Sequence, residues 1–575
     1  MSLQFITGNS GNGKTKYLFN RIVKEAKANP RDNYLVIVPE QFTMQTQRQL
    51  VDLSENKVIM NIDVLSFKRL AYRVFDELGI TNLTVLEETG KNLVLRKLAA
   101  QEADKLGVIG RNLNRIGYIS EVKSLLSELV QYNISPEELG RYIASGRLSD
   151  TLSDKLKDVL VLYEAFEKFM QDKYITAEEI LNVLSNVAEE SAILRNSVIA
   201  FDEFTGFTPI QNQLIKKLFV ISKKIYVTLT IDCREDIFKS RGMQELFDMP
   251  KRTVKSLTEM AAFYGIEVEE PIILDKNYRL AENEELSFME QQLFRKRRCS
   301  FKKAPKHIHI DCLRDPKQEL TKIARRINEL VRNENLRYRD IAIVTGDVNI
   351  YAGYVREIFD KYNIPYFIDA TQEILFHPFI EFIRSIPDIA AQNFSADAVF
   401  RFLRCGFSEL LDSEIDVLEN YVLACGVRGK SAWDKKWVRL PKHKAGYDIE
   451  LLNQSREYIM ELLKPVYQVF SDKKSTVKDY VLAIYKLIVL LDIPDKLAKK
   501  EQALLDAGDQ TASKEYGQIY KIVMQLFEKY VAVLGDECMD AEEFTQILDA
   551  GLDAADVAVI PPGYDTVTIG DIERT

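Results

Sequence analysis

The sequence is short of the residues that build metal knuckles and disulfide frameworks, with six cysteines and four histidines in 575 residues. Cys233, Cys299, Cys312, Cys405, Cys425 and Cys538 form no CxxC pair, and His307, His309, His377 and His443 do not stand at zinc-site spacing from them. Isolated reduced thiols are expected, and a metal cluster built from these residues alone is not. Long apolar runs are missing too. None reaches the roughly 18 to 20 residues of a membrane span. The apolar opening is broken at once by Gly8-Asn9-Ser10-Gly11, which leaves no signal-peptide core. A cytoplasmic protein without a membrane partner is expected. Excess positive charge is also absent: 77 Lys and Arg against 86 Asp and Glu leave a net −9. That excludes a chain basic all over, but not nucleic acid, because a local groove decides such a contact.

What is present is ordinary globular composition, 46% apolar and 28% charged. It excludes a disordered chain, a collagen and a coiled-coil rod. There is no internal repeat or low-complexity tract. At roughly 150 residues per domain the length suggests about four structural units. The chain opens strand, glycine loop, helix: Leu3-Gln-Phe-Ile-Thr7 is β-prone, and Leu18, Ile22 and Ala26 mark one helix face. Tyr34–Pro39 and Val58–Leu65 read as further strands, the latter feeding a helix over Lys68–Leu78. From about 84 to 195 the pattern is helical, with starts at Ser135-Pro136-Glu137-Glu138 and Thr176-Ala-Glu-Glu179. Strands return at Ser197–Phe201 and Lys224–Ile231. A second α/β series runs His307–Ile310, helix Gln318–Arg332, Asp340–Val344, a helix near Tyr351–Tyr362, and Pro365–Ile368. The chain is then mostly helical from about 376 to 555, with a last strand at Thr566–Gly570. A strand with so little after it suggests a piece of a longer protein.

Gly8-Asn9-Ser10-Gly11-Asn12-Gly13-Lys14-Thr15 fits G-x-x-x-x-G-K-[ST] at every fixed position, between a predicted strand and a predicted helix. Backbone N–H groups of such a loop converge on phosphate oxygens at the positive end of a helix. Lys14 is the candidate for the β and γ phosphates of ATP, and Thr15 for Mg²⁺. The competing reading is a glycine turn before a helix. Asp202-Glu203 ends the apolar run Val198–Phe201. After a phosphate loop, this pattern puts Asp202 near Mg²⁺ and Glu203 where a base activates water. The alternative is that both acids cap a helix or line a solvated loop.

Phe201-Asp-Glu-Phe-Thr-Gly-Phe-Thr-Pro-Ile-Gln211 resembles the D-E-x-Q-D…Q element of superfamily 1 helicases of the UvrD type. That element joins Val38-Pro-Glu-Gln-Phe-Thr43, Val64–Ala71, Ile364–Asp369 and His377-Pro378, and together they resemble the AddB family. AddB is the B subunit of the bacterial AddAB helicase–nuclease of double-strand-break recombination. The resemblance spans residues 2 to 575 and the N-terminal half of that family, whose nuclease domain and four-iron four-sulfur cysteines lie in the other half; Arg574-Thr575 falls in what resembles its G-x-x-x-R-S-R stretch.

The fold it implies is α/β: two RecA-like P-loop domains, each interrupted by a helical insertion. The boundaries are 1–83, 84–195 (insertion), 196–300, 301–375, 376–555 (insertion) and 556–575. The implied function is binding of ATP–Mg²⁺ and of the 3′-ended single strand with its Chi sequence, while an AddA-type partner drives unwinding. Departures from a motor helicase fit that division of labour. No glutamine motif precedes the loop, Ile231-Asp-Cys-Arg-Glu-Asp236 lacks the G-D-x-x-Q glutamine, and Thr345-Gly346-Asp347 stands where an arginine is usual. Loss of an arginine finger costs about 10³ to 10⁵ in rate. A self-sufficient ATPase or nucleotide kinase is the alternative. A kinase, however, should carry an arginine-rich lid, and the nearest basic runs lie far down the chain.

Gln41, Thr43, Phe67, Arg69, Tyr72, Phe204 and Phe207 follow the C-terminal ends of predicted parallel strands, where α/β sheets bind ligands. Aromatics stack on bases at roughly 1 to 3 kcal/mol each, arginine reads guanine and glutamine reads adenine. By resemblance these positions recognise Chi. The competing reading makes the phenylalanines core residues. Arg295–Lys306 and Arg428–Lys444 are basic stretches, the second holding Trp433 and Trp437, the only tryptophans. Phosphate contact, a solvated basic face, and simple helix anchoring by the tryptophans all fit.

Overall fold

The computed structural model describes the chain except residues 81–84, 87, 109, 111–117, 146–147, 171–173, 296–298, 370–371, 374–375, 441–446, 473, 554–555, 558–564 and 573–575. Three parts of the sequence reading therefore lie outside the described residues: Lys296–Arg298 of the first basic stretch, Lys442–Lys444 of the second, and Arg574-Thr575. The protein is a mixed α/β structure that divides into two compact units. One comprises 1–86, 125–147 and 167–311; the other comprises 87–124, 148–166 and 312–575.

The first unit is built on a parallel sheet of β1 (Ser2–Gly8), β2 (Tyr34–Ile37), β3 (Ile62–Leu65), β4 (Val198–Phe201), β5 (Lys224–Thr230), β6 (Glu267–Val268) and β7 (Ile272–Leu274). Its order is β3-β2-β4-β5-β1-β6, with β7 also on β1. Nearly continuous apolar strands mean burial on both faces, and alternate residues separate two cores. Leu3, Phe5, Leu35, Ile37, Ile199, Phe201, Ile225 and Val227 face a layer that includes helices α2 (Phe67–Leu78) and Pro209–Ile221. Ile6, Val36, Ala200 and Tyr226 face α1 (Lys14–Ala28) through Leu18, Phe19 and Ile22. The even positions that continue this second face, Asp202 and Thr228, are polar yet buried.

Helix starts follow the expected chemistry. Ser135 caps Pro136–Ala144 by accepting from the Glu138 N–H at 3.3 Å. Thr176 and Glu179 exchange side chain-to-backbone bonds of 2.6 and 3.2 Å just ahead of Ile180–Val187. Thr208 and Gln211 form a reciprocal box on Pro209–Ile221.

The second unit holds a three-stranded parallel sheet of β8 (Ala342–Thr345), β9 (Tyr366–Ile368) and β10 (Val567–Asp571), with β10 in the middle. Helices Pro316–Asn333 and Val348–Lys361 cover it through Leu320, Ile327, Val355 and Phe359. The final strand of the chain is thus the centre of its sheet. The rest is a helical assembly around a large apolar core that includes Trp433 and Trp437. The helix Glu88–Gln101 belongs to it and packs on Gln510–Leu534 and Ala541–Asp553. There Arg96 donates to Gln546 at 3.1 Å and Lys97 pairs with Glu537 at 2.7 Å. Helices between residues 84 and 195 are consequently divided between the two units.

Two strand expectations need correction. His307–Ile310 is not a strand: its alternating pattern finds no neighbouring strand to bond, and Ile310 is 93% exposed. Of Val58–Leu65 only Ile62–Leu65 pairs, with β2. No helix among the described residues is long and apolar enough to cross a membrane.

Candidate nucleotide and cation site

The loop between β1 and α1 has the geometry its glycines require. Gly11 sits at φ 85° and Gly13 at φ 77°, the left-handed region that only glycine enters at no cost. A Cβ on Gly11 would lie 2.8 Å from both Arg279 Cβ and Asn277 Oδ1. That crowding shows what grips the loop from outside. Asn277 Nδ2 donates to the Ser10 carbonyl at 3.0 Å and the Tyr278 N–H to the Gly11 carbonyl at 3.0 Å. Arg279 Nη1 donates to Ser10 Oγ at 3.4 Å. From the loop's side, Asn12 Nδ2 donates to the Leu274 carbonyl at 2.6 Å and Asn9 Nδ2 to Glu290 Oε1 at 2.8 Å.

Charge follows the same logic. The first turn of α1 carries no acid, so its N-terminal positive end is not neutralised within the helix. Lys14 is partly buried and donates to the Asn9 carbonyl at 3.1 Å. Desolvation lowers its pKa; Glu203 and Asp202 oppose the shift and the charge of Arg279 adds to it. Two cations thus stand close together around a glycine loop at the positive end of a helix, an arrangement that an anion would stabilise.

Asp202 follows β4 and is 1% exposed. Its Oδ1 accepts from Thr228 Oγ1 in the neighbouring strand β5 and, at 3.4 Å, from Thr15 Oγ1. Thr15 Oγ1 also lies 3.1 Å from Glu203 Oε1. Burial pushes the Asp202 pKa up to about 6; the Thr228 hydrogen bond pulls against that and the Glu203 charge adds to it. Its second oxygen, Oδ2, is buried without a partner. Glu203 is exposed and holds φ 62°, a costly conformation for a non-glycine residue. The Thr15 hydroxyl and two carboxylates, one of them with an orphaned buried oxygen, suit a hard divalent cation with oxygen ligands. No group of three or more His, Cys, Asp or Glu side chains placed to hold a metal occurs among the described residues, and the six cysteines are free.

The expected DNA-contacting residues fall into two groups. Gln41 is exposed, as is Arg69, whose Nε lies 3.3 Å from Glu40 Oε1; Tyr72 is 39% exposed. Thr43 is instead buried, with its hydroxyl on the Glu40 carbonyl at 3.0 Å. Phe67, Phe204 and Phe207 gather with Phe201 into one aromatic cluster, with ring centroids 5.2 to 6.3 Å apart. Phe67 is buried in it, while Phe204 and Phe207 are half-buried. Trp433 and Trp437 are both buried, so neither ring is offered to a base.

Sequence reasoning passed over Thr228 and Asn277-Tyr278-Arg279. Thr228 had a signal, a hydroxyl inside an otherwise apolar strand. The other three had little, since they lie in an irregular polar stretch more than 260 residues from the loop they grip.

Comparison with known proteins gives a family. Residues 5–290 match the family described as ADDB, N-terminal. The B subunit of the ATP-dependent helicase/deoxyribonuclease of Lachnoclostridium phytofermentans is 38% identical over 585 residues, covering all of this chain and 51% of that protein. The proteins of the same name from Clostridium acetobutylicum and Clostridioides difficile are each 31% identical, over 586 and 588 residues, again covering all of this chain and 50% of theirs. The chain spans about half the length of the curated relatives it matches.

Proposed function

The chain belongs to the AddB family, and from that membership we propose that it is the nucleotide- and DNA-binding part of the B subunit of an ATP-dependent helicase/deoxyribonuclease. The complex would act in the cytoplasm on double-strand breaks, for homologous recombination. One observation carries the reading. The phosphate loop, Thr15, Asp202 and Glu203 converge at the C-terminal ends of three adjacent parallel strands, β1, β5 and β4. This is where open α/β sheets bind ligands.

In this reading ATP–Mg²⁺ supplies a triphosphate and a cation for that convergence. The N–H groups of Gly8–Thr15 and the Lys14 ammonium hold phosphate oxygens. Thr15 and Asp202 hold the cation, and Glu203 is placed to take a proton from water. Arg279 adds a cation to the mouth of the loop. Gln41, Arg69, Tyr72, Phe204 and Phe207 form the single-strand surface that reads Chi, in segments that follow strands of the same sheet, with Thr43 and Phe67 buried behind it as support. Each unit is then built on a RecA-like domain that carries helical insertions, with the helices between residues 84 and 195 shared between the units. An AddA-type subunit supplies unwinding, and the four-iron four-sulfur cluster and the nuclease belong to the other half of the family protein.

The test uses the purified chain alone and mixed with an AddA-type protein, on a duplex with a 3′ single-stranded tail. Tail binding without strand separation is expected from the chain alone, with unwinding only in the mixture. ATP-driven unwinding by the lone chain would overturn the division of labour.

A further inference from the structure

Asp202 poses a problem of orientation. The last torsion of an aspartate is broad and two-fold, so a carboxylate in a cation site needs something to hold it. Thr15 does this poorly, because its hydroxyl has one proton and lies nearer to Glu203, at 3.1 Å, than to Asp202, at 3.4 Å. Thr228 has no such division. It is 3% exposed, comes from the strand lying between those of Asp202 and the phosphate loop, and donates its proton to Asp202 Oδ1. It sits on the same sheet face as Tyr226 and Ala200, in a strand whose other interior residues are apolar. A valine would suit the pleat as well, and a buried hydroxyl costs stability unless it is bonded. The bond to Asp202 accounts for a hydroxyl here. Its consequence is asymmetry, since Oδ1 is engaged and Oδ2 is buried without a partner.

We propose that Thr228 is a positioning residue of the cation site: its hydroxyl bonds Asp202 Oδ1 and so fixes the plane in which the carboxylate is offered to a cation. The proposal rests on the ATP–Mg²⁺ reading of the loop and adds to it a residue that touches neither nucleotide nor metal. Two substitutions separate the hydroxyl from the packing. Thr228→Val keeps shape and removes the donor; Thr228→Ser keeps the donor.

The measurement is the affinity of the purified chain for a fluorescent ATP analogue in saturating Mg²⁺ and in EDTA, together with the electron paramagnetic resonance spectrum of Mn²⁺ bound in place of Mg²⁺. Near-ultraviolet circular dichroism checks that each variant is folded. A hydrogen bond to a charged group is worth about 1.5 to 3 kcal/mol, so the gain in affinity on adding Mg²⁺ should fall about tenfold or more in Thr228→Val. Its bound Mn²⁺ spectrum should change, and Thr228→Ser should stay within about twofold of wild type. Wild-type Mg²⁺ dependence in a folded Thr228→Val would overturn the proposal alone, as would a folded Thr228→Ser as weak as Thr228→Val. A wild-type chain with no affinity for the nucleotide would overturn the nucleotide reading and this proposal with it.

Discussion

Single residues here are constrained by what lies against them as much as by their own chemistry. At Gly11 the positive φ and the pressure from Asn277 and Arg279 act together. Gly11→Ala is therefore expected to cost about 1 to 2 kcal/mol from the left-handed backbone alone, and to part the loop from residues 277–279. A lower melting temperature and at least a tenfold loss of nucleotide affinity should follow; an unchanged affinity would show that the grip is not needed. His377 offers a pH-dependent case. It is buried, accepts the Phe379 N–H at Nδ1 over 3.1 Å, lies 4.4 Å from the Tyr516 ring, and has its pKa lowered to about 4 by burial. Below its ordinary value of 6.5 the unfolded chain takes up a proton that the folded one refuses. Its contribution to stability is thus complete above pH 6.5 and lost as pH falls toward 4, by about 3 kcal/mol at most. His377→Asn keeps a cap for the helix at Pro378 and should flatten that part of the melting-temperature profile; an identical profile would contradict the assignment.

At the scale of elements, the aromatic turn after β4 and the start of α2 form one surface. Phe204→Ala should weaken binding of a labelled single-stranded oligonucleotide by roughly 5- to 150-fold if its half-exposed ring stacks on a base at about 1 to 3 kcal/mol. Glu40→Gln should tighten binding a few-fold, because it removes the acid that holds Arg69 at 3.3 Å. Fluorescence anisotropy reads both; loss of affinity in Glu40→Gln would mean that Arg69 serves the fold and not the strand. Elements of this kind were legible where a local rule fixes them. The phosphate loop and the Asp202-Glu203 pair follow from fixed spacing beside apolar runs, and Ser135-Pro136 from capping chemistry. His307–Ile310 failed because alternation makes a strand only when a neighbour supplies the hydrogen bonds. The bracing of the loop by Asn277-Tyr278-Arg279, and the bond from Thr228, are long-range contacts to which no period or motif points.

For the whole molecule, the two tryptophans provide an unplanned reporter. Both are buried in the second unit, whereas the nucleotide loop belongs to the first. A ligand at 100 times its Kd stabilises what it binds by about 2.7 kcal/mol. Nucleotide should therefore raise the denaturation midpoint seen by circular dichroism while leaving the tryptophan-reported midpoint in place; equal shifts would show that the units unfold as one. The proposed function depends on the phosphate loop near the start of the chain being a working triphosphate cradle. Equilibrium titration of the chain and of Lys14→Ala with a fluorescent ATP analogue and Mg²⁺ tests this most directly. Saturable binding by the wild type, lost by two orders of magnitude or so in Lys14→Ala, is the expected result; equal binding by both would contradict the account.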